Sequence, residues 1–290
     1  MEQTSNIRDF TSVSITARWL IKLKGYTSIP YARQVAELLE YPNKYSPDFK
    51  NKDLPFWAVT FHLESRYRSV DQLLEDLATK NILELSSGYS FRGLDHIMHD
   101  DLFYIDTDLP AVISLKNAII KSLIKDGSNP KGKLELLPLN VLDKNSFCEI
   151  TDRFPEGEII IVNEGLLTYL EREEKEQLCS VIHDVLKKRG GYWITADIYI
   201  KGKKSGFNPM LTREAKNFFK QQDTEGKKFE NFDDAESFFK KMGFIIDRVA
   251  DVKHSDVGSF RYMMKSLKFK DIFKLKKAGR SQATWRLKVV

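Results

Sequence analysis

The sequence predicts an α/β fold: a mostly parallel sheet covered by helices on both faces and preceded by a helical segment. Two observations carry this. Up to about Lys80, apolar residues recur at three and four positions (Trp19, Leu20, Leu23; Val35, Leu38, Leu39; Val70, Leu73, Leu74, Leu77), and no strand-like run interrupts them. From Asn81 onward short apolar runs alternate with helical stretches, the order of strand, crossover helix and parallel strand. A length of 290 residues suits one large unit. Its expected parts are an N-terminal helical region over 1–80 and a sheet-bearing region over 81–290, integrated with each other.

Pro30, Pro42, Pro47 and Pro55 break the helical region into pieces. Strands are expected at Ile82–Leu85, Phe103–Ile105, Leu134–Leu137, Ile159–Val162 and Tyr192–Ala196, with helices near 91–99, 110–125, 144–153 and 171–188. A lysine- and glycine-containing loop, Lys201 to Gly206, then leads to helices near 212–221 and 233–241 and a sixth strand, Phe244–Val249. In the tail Ala283–Val290, Trp285, Leu287 and Val289 alternate with polar neighbours, which predicts a seventh strand. Only a short basic link precedes it, so it is expected to run antiparallel, inserted at the sheet edge.

With 42% hydrophobic and 12% aromatic residues the chain has the material for a sizeable core, which excludes a disordered or fibrous class. Lys and Arg exceed Asp and Glu by 46 − 41 = 5, too small an excess to imply nucleic acid as a partner. The basic run from Arg261 to Arg280, opposed only by Asp271, reads as a solvated face. Cys148 and Cys179 fall in helical segments and form no disulfide framework, as in a reducing compartment. The N-terminus is polar and no stretch is apolar enough to span a bilayer, so a soluble, cytoplasmic protein is expected.

In an open parallel sheet ligands bind at the carboxyl ends of the strands. The first strand is followed by Glu84-Leu85-Ser86-Ser87-Gly88-Tyr89-Ser90-Phe91-Arg92-Gly93, a degenerate glycine loop that keeps Gly88 and Gly93 and has serines at 86 and 90. The second closes in Asp106-Thr107-Asp108-Leu109-Pro110, two carboxylates about twenty residues past the loop, where a ribose diol would be held. Asp108 also suits a helix cap ahead of Pro110. The fourth ends in Asn163-Glu164-Gly165, a carboxylate and a glycine at the same mouth. His62, His96, His99, His183 and His254 lack metal-ligand spacing, and no metal is expected. Ser86-Ser87-Gly88 lacks the spacing of a nucleophile elbow. The rings Phe218, Phe219, Phe229, Phe232, Phe238 and Phe239 read mainly as core, with some lining a substrate cavity.

Glu84 to Gly88 with Arg92, Asp106 to Pro110 followed by Lys116, and Glu164-Gly165-Leu166-Leu167-Thr168-Tyr169-Leu170 resemble the successive motifs of the leucine carboxyl methyltransferase family. That family includes S-adenosylmethionine-dependent O-methyltransferases similar to those of polyketide biosynthesis. The resemblance runs from about Thr16-Ala17 through Tyr169, more loosely beyond. It implies a class I methyltransferase (Rossmann-like) fold of seven strands, the last antiparallel, under an N-terminal helical lid. It also implies S-adenosylmethionine as cofactor and a carboxyl or hydroxyl group of a small molecule as methyl acceptor.

Carried onto this chain, the family pattern places the methionine half of the cofactor on the loop of Glu84, Ser86 and Gly88, next to Arg92. Arg66 would pair with the cofactor carboxylate, with Arg68, Lys22 and Lys24 as rivals. Asp108, then Asp106, would hold the ribose. Asn140 and Val141 would lie at the adenine, Asn140 standing where the family commonly has aspartate. Glu164 would meet the cofactor's amino group, anchor the lid, or act beside the transferred methyl, and Tyr169 would either contact substrate or be a packed ring. Glu164 and Tyr169 are thus the catalytic candidates. Two other classes compete: a nicotinamide-dependent oxidoreductase, which the missing glycines and the lack of a suitably placed Tyr-x-x-x-Lys pair oppose, and a non-catalytic cofactor- or RNA-binding protein.

Overall fold

The computed structural model describes residues 11–39, 52–124, 128–201, 224–268, 271 and 279–290. Three helices, α1 (Thr11–Lys24), α2 (Ala32–Leu39) and α3 (Leu54–Glu75), precede the alternating part. That part consists of β1 (Asn81–Leu85), α4 (Arg92–His99), β2 (Phe103–Asp108), α5 (Pro110–Leu123), β3 (Lys133–Pro138), α6 (Lys144–Thr151), β4 (Ile159–Asn163), α7 (Arg172–Arg189) and β5 (Gly191–Tyr199). It continues through α8 (Phe232–Lys241), β6 (Phe244–Val249), α9 (Phe260–Ser266) and β7 (Gln282–Val289). Local chemistry sets the long helices. The Asp53 side chain accepts from the Phe56 amide, with Pro55 in the first turn, to start α3. A capping box of Glu171 and Glu174 starts α7, which stops at Gly190 with φ +77°.

The strands form one sheet in the order β3-β2-β1-β4-β5-β7-β6, with only β7 antiparallel to its neighbours. The tail strand was expected at the edge; instead it lies between β5 and β6, and β6 is the edge. Burial explains the exchange. Residues 283–287 of β7 are buried, whereas β6 leaves Ile245, Arg248 and Val249 exposed, so the more enclosed strand takes the inner place. β2 and β5 each run three residues past the apolar runs that announce them. Their last residues, Asp106 to Asp108 and Asp197 to Tyr199, are mostly polar, yet Asp106 pairs with Leu136 and Asp108 with Pro138 in the ladder. The helix expected near 212–221, the rings Phe218 and Phe219, most of the 201–206 loop and much of the basic run after 268 lie outside the described residues.

Side-chain alternation divides the core into two. On one face Leu83, Ile105, Ile159, Ile161, Trp193 and Leu287 pack against α6, α7 and α8, with Phe229, Phe238 and Phe239 among them. On the other, Ile82, Tyr104, Ile160, Val162, Ile194 and Ala196 pack against α1 to α5. The N-terminal helices therefore share a core with the sheet: Ile21, Val35, Tyr67, Val70 and Leu73 are buried in it. Both cysteines are free thiols, Cys148 in α6 and Cys179, buried, in α7. Among the described residues no helix is long and apolar enough to cross a membrane.

Candidate functional site

Strand order reverses between β1 and β4, the place where an open α/β sheet leaves a crevice at its carboxyl edge. The polar residues of the sequence motifs gather there. Glu84 lies beside Asp106 in the β1–β2 register, and its carboxylate accepts from Tyr104 Oη at 2.6 Å and from Arg92 Nη1 at 3.1 Å. The loop after β1 turns through two left-handed residues, Ser86 at φ +50° and Gly88 at φ +55°. Glycine adopts this region freely; serine there is strained by roughly 1–3 kcal/mol. Gly93 has a different use. A Cβ on it would stand 2.6 Å from the Tyr104 ring, so its lack of a side chain lets α4 close onto β2.

The two aspartates of β2 have different surroundings. Asp106 is bonded to Ser87 Oγ and pairs with the fully buried Lys116 at 2.5 Å. Burial, against the pull of Lys116, pushes its carboxyl up to about 6. Asp108 stands closer to the mouth and accepts from the amides of Gly88 and Leu109, both at 2.7 Å. Burial raises its pKa while these two amides oppose the rise. Beyond β3, Asn140 turns its side-chain oxygen back to the Leu142 amide at 3.1 Å, and the Val141 side chain is buried in the core under α6 and α7.

The centre of the site is Glu164, in the loop after β4. One of its oxygens accepts from Lys24 Nζ on α1 at 2.8 Å and from Arg66 Nε and Nη2 on α3, both at 3.2 Å; the other accepts from Arg92 Nη2 at 3.1 Å. Burial alone would push this carboxyl up, but the three cations outweigh it and hold it at about 2. Arg92 is fully buried and divides its donors among Asp71, Glu84, Glu164 and the Tyr67 carbonyl, with its guanidinium 4.0 Å over the Tyr67 ring. Of the two arginines that compete on α3, Arg66 enters this cluster. Arg68 turns away to Ser28 and Asp71.

Several participants carry no sequence motif. Asp197, near the end of β5, accepts from Asn163 Nδ2 and from the amides of Gly165, Leu166 and Leu167, and so fixes the loop that presents Glu164. Gly165 has φ +93°, and a Cβ there would sit 3.5 Å from Arg66 Nη2. Tyr199 Oη accepts from Arg66 Nη1 at 2.9 Å and lies 2.7 Å from His62 Nε2. Burial, then the charge of Arg66, lowers the His62 imidazole to about 3. The one available signal was spacing: His62 and Arg66 are four residues apart, on one face of a helix. Tyr169 follows in a short 3-10 turn, with its carbonyl accepting from Lys227 Nζ at 3.2 Å. Among the described residues no three His, Cys, Asp or Glu side chains gather as a metal site.

No family model and no curated protein matches the chain. Solved structures do. The cyclopropane synthase MmaA2 from Mycobacterium tuberculosis superposes with a TM-score of 0.53 at 12% identity, over 98% of this chain and 99% of that one. The magnesium protoporphyrin IX methyltransferase ChlM from Synechocystis PCC 6803, solved with bound SAH, superposes with a TM-score of 0.52 at 10% identity, over 97% and 98%. LepI in complex with SAH and a substrate analogue matches at a TM-score of 0.46 and 10% identity; the chain spans about half of LepI, 53% of its length. At these identities the likeness is one of fold, and the seven-stranded sheet with its single antiparallel strand is that of class I methyltransferases.

Proposed function

We propose that this chain is an S-adenosylmethionine-dependent O-methyltransferase of the leucine carboxyl methyltransferase type, acting on a small molecule. The carrying observation is the buried charge cluster of Lys24, Arg66, Arg92 and Glu164 at the mouth of β1 and β4. An amino-acid zwitterion fits it. Its carboxylate meets the planar fork of Arg66 and the ammonium of Lys24, its own ammonium meets Glu164, and no net charge enters a buried site. The left-handed loop at Ser86 and Gly88 supplies the close backbone approach, and Asp108 faces the place of the ribose, since Asp106 is already engaged by Lys116. Asn140 and Val141 flank the place of the adenine, the Asn140 amide nitrogen being the donor that its turn leaves over. Arg92 and Glu84 act through Glu164, holding it on the axis between the two N-terminal cations. SAH in the ChlM structure and the shared fold support the same reading.

When bound, S-adenosylmethionine supplies an electrophilic methyl group: an acceptor oxygen forms the new O–CH3 bond while the S–CH3 electron pair goes to sulfur. The protein's part is to orient both reactants and exclude water. A hydroxyl acceptor must lose a proton in the process, but Glu164 at about 2 and His62 at about 3 are poor bases at neutral pH. A carboxylate arrives ionised and needs no base, so it is the favoured acceptor. Glu164 thereby serves as a binding group rather than as a proton carrier, with Tyr169 left to contact substrate.

Thermal-shift titration with S-adenosylhomocysteine, NADH and an RNA pool separates the three function classes; stabilisation by the first alone is expected, and none by it would overturn the proposal. Label from methyl-labelled S-adenosylmethionine should then enter small carboxylic acids as base-labile ester. Label that resists base would move the acceptor to a hydroxyl.

A further inference from the structure

Arg66 and His62 occupy one face of α3, and both reach the same hydroxyl, that of Tyr199. The route by which Tyr199 arrives there is specific. Along β5, Trp193 packs on the face of α6 to α8, and Ile194 and Ala196 pack on the opposite face. Strict alternation would put Ile198 with Ala196 and turn Tyr199 away from α3. Instead the β5–β7 ladder shifts register between Thr195 and Ile198. Ile198 joins Trp193 in the first core, and Tyr199 turns toward α3. A bulge that redirects one side chain beside a ligand site is a recurrent device.

We propose that Tyr199, seated by His62, is a positioning residue for Arg66 and thereby selects ligands that carry an amino-acid carboxylate. This rests on the reading of Arg66 as the carboxylate ligand. A guanidinium has five donors in one plane, and its orientation decides whether two of them meet a carboxylate together. Here Nη1 is held by Tyr199 Oη and the Nε and Nη2 edge by Glu164 Oε1, so the guanidinium plane is fixed from both sides and one N–H each on Nη1 and Nη2 is left for the ligand's carboxylate. Arginine only donates, so Tyr199 Oη accepts from it, and with the His62 proton on Nδ1 the hydroxyl's own proton can go to Nε2. That direction requires a neutral imidazole. Burial and the charge of Arg66 keep His62 neutral far below pH 7. The relay Arg66, Tyr199, His62 therefore runs one way, each bond polarising the next.

The test compares S-adenosylhomocysteine with 5′-methylthioadenosine, which shares the nucleoside and thioether and lacks the amino-acid end. In Tyr199→Phe, the dissociation constant for S-adenosylhomocysteine should rise about tenfold, while that for 5′-methylthioadenosine stays within about twofold. His62→Gln, whose amide oxygen accepts the same proton, should bind as wild type does; His62→Leu should lose affinity for S-adenosylhomocysteine alone. Combined with Arg66→Lys, Tyr199→Phe should cost nothing further, because both remove one interaction. Unchanged affinity in Tyr199→Phe overturns the inference, as does an equal loss for both ligands in a variant that unfolds at the wild-type temperature. If the wild-type protein binds the two ligands equally, Arg66 is no carboxylate ligand and the inference falls with that role; if it binds neither, the methyltransferase reading itself is wrong.

Discussion

Arg66 and Glu164 stand 98 positions apart in the chain and meet through two hydrogen bonds of 3.2 Å, both ending on Glu164 Oε1. With Lys24 on the same oxygen, the contact pins α1 and α3 to the loop after β4. The N-terminal helices are thus held over the sheet by charge as well as by packing, and the residues that pin them are those proposed to bind the cofactor's amino-acid end.

Replacing Glu164 by Gln leaves three buried cations without their common partner, and a loss of about 3 kcal/mol in stability at pH 7 is expected. The pH dependence has a definite sign. A carboxyl lowered from 4.5 to about 2 stabilises the folded state above its unfolded value, and that contribution disappears as pH falls from about 4.5 to about 2. Urea unfolding over this range should show a shallower decline in Glu164→Gln than in the wild type.

Asp106 and Asp108 should separate into a folding residue and a ligand residue. Asp106→Ala strands the buried Lys116 and should cost about 3–5 kcal/mol in stability. Asp108→Ala should leave a folded protein whose affinity for S-adenosylhomocysteine is weaker by about tenfold or more, through lost charge-assisted bonds. Calorimetry and denaturant unfolding on both variants check the division; a reversed pattern would assign the ribose to Asp106.

Ser86 at φ +50° is a local cost that glycine removes. Ser86→Gly should raise the stability by up to about 1 kcal/mol without weakening S-adenosylhomocysteine, read from thermal unfolding with and without ligand. Weaker binding would show that the serine hydroxyl contacts the ligand.

Much of this was legible in the sequence because strand and helix periods are imposed by burial. β1 and β4, buried on both faces, announce themselves, and the carboxylates near the ends of β1 and β2 and just after β4 fall at the mouth by the geometry of a parallel sheet. The place of β7 was not legible, since which of two antiparallel neighbours is inner depends on the relative burial of two strands. Tyr199 was hidden because a bulge, invisible to a period-two count, reverses its face. Asp197 was hidden because its four donors come mainly from the backbone of another loop. The competition between Arg66 and Arg68 turned on which face of α3 meets the sheet, which only packing decides.

On the proposed reading, Arg66 holds the carboxylate of an S-adenosyl amino acid over the β1 and β4 ends. Isothermal titration of wild-type and Arg66→Lys protein with S-adenosylhomocysteine and with adenosine tests it most directly. The expected result is saturable binding of S-adenosylhomocysteine that weakens by about tenfold in the variant, the lysine keeping the charge and losing the two-pronged donor, with adenosine unaffected. Equal affinity of both proteins for S-adenosylhomocysteine, or no binding to the wild type at millimolar ligand, would contradict it.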